Sequence, residues 1–145
     1  MQTIKQLLDT KGNNILSIDP NSSVYDAIKA MADNHVGSLL VMKNDNLVGI
    51  ITERDYSRNV ILKGKSSKDT PVKDIMISNV LCAKPEQSIE QCMALMTDKR
   101  VRHLPVAEND KVIGIISIGD LVKAIISEQK FMIEQLEHYI NGLAT

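Results

Sequence analysis

Two short strings in this 145-residue chain hold hydroxyl and carboxylate groups at a fixed interval: Gly49-Ile50-Ile51-Thr52-Glu53-Arg54-Asp55 and Gly114-Ile115-Ile116-Ser117-Ile118-Gly119-Asp120. In each, an apolar run of strand character ends in Thr52 or Ser117, and an aspartate follows three positions later, inside the first turn of a helix. A hydroxyl and a carboxylate are thus delivered to one strand-to-helix corner, twice. Two readings are open. In one, the hydroxyl caps the helix and the acidic side chain at the third helical position reaches back to the cap. In the other, backbone N–H groups at the helix start face a phosphate, while Asp55 or Asp120 accepts hydrogen bonds from a ribose diol. The readings are compatible, and the duplication favours the second. Surrounding positions differ while hydroxyl and aspartate persist, after a glycine with no side chain to obstruct a ligand.

The elements that must position these corners also come in two copies. Ile15-Leu16-Ser17-Ile18-Asp19-Pro20 lines up with Val80-Leu81-Cys82-Ala83-Lys84-Pro85, and the spacing of 65 positions holds without a gap to Ile61 against Ile126. An internal duplication is the simplest explanation. Each unit reads strand, helix, strand, strand, helix, an α/β chain of the α+β type with a small sheet covered by two helices. Val24, Ala27, Ile28 and Met31 give the first helix an apolar face, matched by Ile89, Cys92, Met93 and Met96. Ser88 to Gln91 forms a capping box before the second copy. Lys43-Asn44-Asp45-Asn46 and Asn109-Asp110-Lys111 read as hairpin turns. Runs such as Val48-Gly49-Ile50-Ile51 are apolar on consecutive positions, so these strands should be covered on both faces.

The organisation is then a lead over 1–14, in which Ile4, Leu7 and Leu8 pack as one or two helical turns, repeat 1 over 15–62, a linker and entry over 63–79, repeat 2 over 80–127 and a helical extension over 128–145. Either repeat alone would be marginally stable, so a shared interface is expected. The terminal helix carries an apolar stripe through Leu121, Ile125, Phe131, Met132, Leu136, Tyr139, Ile140 and Leu143. Two covers are open, the module itself and a second subunit, and the second, which is the expected one, makes the protein a homodimer.

Composition narrows the function. The net charge is −1, with cations scattered among acids, so nothing supplies the basic field of a nucleic-acid binder. One Phe, three Tyr and no Trp also leave little for base stacking. No apolar run approaches the ~20 residues of a membrane span, and the first residues lack a signal peptide, so a cytoplasmic protein is expected. Cys82 and Cys92 have no Cys-x-x-Cys spacing and read as reduced structural thiols. His35 and His138 show no ligand spacing, so no metal site is expected. Without a nucleophile–base pair or a Walker-type loop, no catalytic residue is assigned and the chain does not read as an enzyme.

The two Gly-x-x-Thr/Ser-x-x-Asp corners, the strand Leu104-Pro105-Val106 and the helix–hairpin–helix order resemble a pair of cystathionine-β-synthase-type (CBS) domains, a Bateman module. The strings Gly49 to Tyr56, Arg102 to Val106 and Ile116 to Val122 resemble stand-alone two-CBS signalling proteins, with no attached enzyme or channel. The resemblance implies two clefts between the units that bind adenosyl ligands, AMP first, then ADP, ATP, NAD or S-adenosylmethionine. Asp55 and Asp120 would hold ribose hydroxyls, and Thr52 and Ser117 would contact ribose or phosphate. Basic side chains at the start of the central strand would meet phosphate, here Arg102 and His103; Gly37 and Ser38 occupy the matching positions and depart from that pattern. The cleft reached by Arg102 and His103 is therefore the better phosphate candidate. Arg54 is a second phosphate candidate, and Gly119 at the equivalent place offers nothing. Adenine is expected near Ile18 and Ala83, Val36 and Val101. The expected function is nucleotide sensing, signalled by a change of shape to a protein target that the residues do not identify. The alternative is an oligomerising interaction protein whose clefts are vestigial.

Overall fold

The computed structural model describes residues 2–12 and 14–144, with side chains described as far as Gly142; Met1 and Asn13 of the lead, Thr145 and the Leu143 side chain of the apolar stripe lie outside the described residues. In chain order the elements are α1 (Ile4–Lys11), β1 (Ser17–Ile18), α2 (Val24–Asp33), β2 (Ser38–Lys43), β3 (Asn46–Thr52), α3 (Glu53–Tyr56), α4 (Ile89–Lys99), β4 (His103–Glu108), β5 (Lys111–Ser117) and α5 (Ile118–Ala144). A π-helical turn, Ser57–Ile61, continues α3, and a single 3-10 turn covers Val72–Asp74.

Turn chemistry sets the register of both hairpins. Asn44 and Asp45 have φ of 51° and 66°, and Asn109 and Asp110 have 52° and 65°. A two-residue type I′ turn requires positive φ at both central positions, and these are the residue types that tolerate it. The turns pair Leu40 with Ile50 and Leu104 with Ile116, with a register shift after Val41 and Val106. In repeat 1, β1 adds parallel to β2, with Ile18 opposite Val41. The strand expected at the start of repeat 2 is reduced to one bridge, Ala83 to Val106. Proline explains the loss: the Leu40 N–H donates to the Leu16 carbonyl, whereas Pro105, 65 positions on, has no N–H to give.

Each hairpin is backed by a capped amphipathic helix. Ser23 and Ser88 accept from the backbone N–H of Asp26 and Gln91, and Gln91 returns the bond to complete the capping box. Val24, Ala27 and Met31 fill the first core with Leu39, Val41 and Ile51, and Ile89, Cys92 and Met96 fill the second with Leu104, Val106 and Ile116. Cys82 and Cys92 are free thiols, each pushed up from its ordinary pKa by burial.

The lead segments complete these cores crosswise. The Ile4 and Lys5 N–H groups donate to the Gln87 and Pro85 carbonyls, and Val72 and Lys73 donate in the same way to Ser22 and Pro20. Thr3 to Leu8 is thus a copy of Pro71 to Met76 at a spacing of 68 rather than 65. The segment preceding repeat 1 closes repeat 2 with Ile4, Leu7 and Leu8, and the segment following repeat 1 closes repeat 1 with Val72 and Ile75. The motif glycines serve this crossing. A Cβ on Gly114 would lie 2.8 Å from Leu8 Cδ2, and one on Gly49 would lie 2.5 Å from Met76 Sδ and 3.0 Å from the Ile77 carbonyl oxygen. The sequence reading of these glycines as clearance for a ligand is therefore corrected: they admit a neighbouring chain segment.

Past Ser127, α5 leaves the body of the protein. Phe131, Met132, Ile133, Leu136, Tyr139 and Ile140 are each between 55% and 66% exposed, an apolar face without cover in the single chain. No helix among the described residues is long and apolar enough to cross a membrane.

Candidate clefts between the repeats

Both strand-to-helix corners form the reciprocal cap. Asp55 Oδ2 accepts from the Thr52 N–H and the Thr52 hydroxyl, each at 2.9 Å, and the Asp55 N–H donates back to Thr52 Oγ1 at 3.2 Å. Asp120 Oδ2 accepts from the Ser117 N–H at 2.8 Å, and the Asp120 N–H donates to Ser117 Oγ at 3.1 Å. One oxygen of each carboxylate is consumed in holding the corner. Oδ1 of each has no hydrogen-bond partner among the described residues.

Each corner opens into a cavity whose opposite wall belongs to the other repeat. The Ser117–Asp120 corner faces the turn from α2 into β2, lined by Asn34, His35, Val36, Gly37 and Ser38, around a volume of about 600 Å³. The Thr52–Asp55 corner faces the turn from α4 into β4, lined by Lys99, Arg100, Val101 and Arg102, around about 460 Å³. The structure therefore brings Arg102 together with Arg54, Thr52 and Asp55 from the first repeat. Arg58 lies in the same cleft.

His103 and Gly37 belong to both cavities. The His103 ring atoms Cε1 and Nε2 lie 3.7 Å from where a Gly37 Cβ would stand, so the imidazole is a wall shared by the two clefts. Burial and the Lys11 charge hold His103 below its usual pKa, with Arg102 adding and Asp120 and Glu53 opposing. Val36 and Val101 sit one in each cleft. Ile18 and Ala83 line neither cavity; Ile18 pairs with Val41 and packs on the first core, and Ala83 is fully buried in the second. Ile15 and Leu16 line the Asp120 cleft instead.

The residue that sequence reasoning missed is Lys11. Its ammonium donates to Asp120 Oδ2 and to the Ile115 carbonyl, both at 2.6 Å, reaching across from α1 into the Asp120 cleft. Burial would raise the Asp120 pKa, but the Lys11 and Ser117 hydrogen bonds and the Lys11 charge outweigh it and hold the carboxyl below its ordinary value. In the other cleft the equivalent carbonyl, of Ile50, is taken by the Ile77 N–H at 2.9 Å. Among the described residues no lysine pairs with Asp55. The clefts are built alike and charged differently.

A family model described as CBS domain matches residues 4–61 and again residues 72–127. CBS domain-containing protein CBSX3, mitochondrial, of Arabidopsis thaliana is 41% identical over 149 residues, which span 97% of this chain and 72% of that one. A solved protein with CBS domains from Burkholderia ambifaria is 50% identical and superposes with a TM-score of 0.85, covering 88% of this chain and 96% of the other. A CBS domain pair solved in complex with 5′-methylthioadenosine and S-adenosyl-L-methionine shares the fold at 21% identity, with a TM-score of 0.77 over 88% of this chain and 98% of that one.

Proposed function

The chain belongs to the CBS-domain family, and from that premise we propose that it is a regulatory module that binds an adenosine nucleotide in the clefts between its repeats and reports occupancy as a change of shape. The observation that carries this reading is the doubled corner: an aspartate with one oxygen unpartnered, set in a cavity walled by both repeats. A ribose diol supplies two hydroxyl donors for such a carboxylate. Val36 and Val101 offer each adenine an apolar neighbour. The pair solved with two adenosyl ligands supports the ligand class. On the family resemblance alone AMP is the first candidate, ahead of ADP, ATP, NAD and S-adenosylmethionine; the charges of the two clefts revise that order below.

A ligand that touches both walls of a cleft binds one arrangement of the repeats better than another, and that difference is what a partner reads. The exposed stripe of α5 supports a homodimer, with a further protein as the target. The hydroxyls nearest the ligand are held as helix caps, so we propose binding without turnover rather than an enzyme. The cytoplasm is the proposed compartment; the plant relative's name places that protein in the mitochondrion.

Calorimetric titration with adenosine, AMP, ADP, ATP, NAD and S-adenosylmethionine tests the reading. At least one should bind with a stoichiometry of one or two per chain and be recovered unchanged. A second reading, an oligomerising protein with vestigial clefts, draws on the Lys11 ammonium lodged against Asp120. It predicts no heat with any member of the panel.

A further inference from the structure

The pseudo-symmetry that makes two clefts alike in backbone leaves them different in charge. At four pairs of equivalent positions the Asp120 cleft and the Asp55 cleft differ in one direction: Asn34 against Lys99, His35 against Arg100, Gly37 against Arg102, and Gly119 against Arg54. His35 and Arg100 occupy the same helix-ending left-handed conformation, with φ of 55° and 56°. The backbone is therefore the same, and only the head group presented to the cleft has changed.

With Arg58, the Asp55 cleft gathers five cations against the carboxylates of Glu53 and Asp55. They converge from α3 and the turn that follows it, from the end of α4 and from the start of β4. None of the four arginines has an ion-pair partner among the described residues; Lys99 has one contact, with Asp98 at 3.9 Å on the open surface. Five like charges around a cavity of about 460 Å³ repel one another, in a chain whose net charge is −1. In the Asp120 cleft, by contrast, the Lys11 ammonium is already neutralised by Asp120.

We propose that the two clefts take different ligand classes: the Asp55 cleft binds a nucleotide carrying two or more phosphates, and the Asp120 cleft binds an adenosyl ligand of little or no negative charge. The assignment rests on the adenosine-nucleotide reading for the base and sugar, and on the cation cluster alone for the phosphates. Asp55 and Val101 seat ribose and adenine at one end, while Arg54, Arg58, Lys99, Arg100 and Arg102 surround the polyphosphate. Arginine's planar fork matches paired phosphate oxygens, and several forks on one chain of phosphates give a gain that a single terminal phosphate cannot.

Titration of the full chain with adenosine, AMP, ATP and inorganic tripolyphosphate tests the assignment, without divalent cations, which would mask the phosphate charge. ATP should bind about tenfold or more tightly than AMP, and the gap should narrow as salt is raised. The triple variant K99N/R100H/R102G, which carries the residues that the other cleft already accommodates on the same backbone, should lose that preference while keeping adenosine binding. Asp120→Ala should leave the ATP preference intact. Equal affinity for ATP and AMP, or an ATP preference that survives in the triple variant, would overturn the charge assignment and leave the adenosine reading standing. Tripolyphosphate binding as tightly as ATP, with no binding of adenosine, would keep the polyanion site and remove the adenosine reading. Silence with all four probes would remove both.

Discussion

Lys11 and His103 show how much of the electrostatics depends on single side chains placed by distant elements. Asp120 is held below its ordinary pKa, so it takes up a proton on unfolding in acid. The stability this contributes is complete above the ordinary carboxylate value and is lost as pH falls through the folded one. Lys11→Met should therefore lessen stability near neutrality and flatten its dependence between about pH 5 and pH 3. Denaturant unfolding across that range would show it, and an unchanged slope would mean that the ion pair contributes nothing. His103 acts in a higher window. Its imidazole is also held below the usual value, so the unfolded chain is the first to gain a proton as pH drops through about 6.5. Stability should decline as pH falls from that point through the lower folded value, and His103→Gln should remove the step. At the ligand itself, Asp55→Ala or Asp120→Ala should lose on the order of 2 kcal/mol, about thirtyfold in affinity, for whichever ligand occupies that cleft. Unaltered binding in both variants would take the ribose role away from the corners.

At the scale of elements, the crossing of the lead segments is the feature most exposed to test. Gly114→Ala drives a methyl into Leu8, and Gly49→Ala meets Met76 and the less yielding Ile77 carbonyl. Each should cost about 1–3 kcal/mol by overpacking, with Gly49→Ala the worse. A neutral result would mean that the segments shift freely against the hairpins. The local features of these elements were legible because their causes lie within a few residues. The Asn-Asp turns, the Ser88 capping box and the doubled Thr52–Asp55 and Ser117–Asp120 corners each follow from side chains that act on nearby backbone. The crossing was not legible, since Thr3 to Leu8 repeats Pro71 to Met76 at a spacing three residues longer than the rest, and its partners sit in the opposite repeat. Lys11 was hidden for the same reason, 109 positions from the aspartate it meets. The loss of the first strand in repeat 2 was visible in principle at Pro105, whose missing N–H removes the bond that Leu40 makes. Arg102 and Arg54 were legible as cations at the right elements. That they share one cleft required the fold, because each cavity draws its two walls from different repeats.

For the molecule as a whole, two repeats that exchange their lead segments form a single body, and α5 extends from it with an apolar face turned to solvent. Truncation after Ser127 removes most of that face and should lower the mass seen by sedimentation. An assembly that keeps its mass would place the subunit interface elsewhere. Whether the corners between the repeats bind adenosine nucleotides can be read from thermal unfolding. AMP, ATP and S-adenosylmethionine would each be added to the parent chain and to the double variant Asp55→Ala/Asp120→Ala. A ligand at a hundred times its dissociation constant should stabilise the parent by about 2.7 kcal/mol, roughly 5–10 °C for a chain of this size. That shift is expected with at least one of the three, and it should be lost in the double variant. No shift in the parent, or a shift that the double variant retains, would contradict nucleotide binding at the corners.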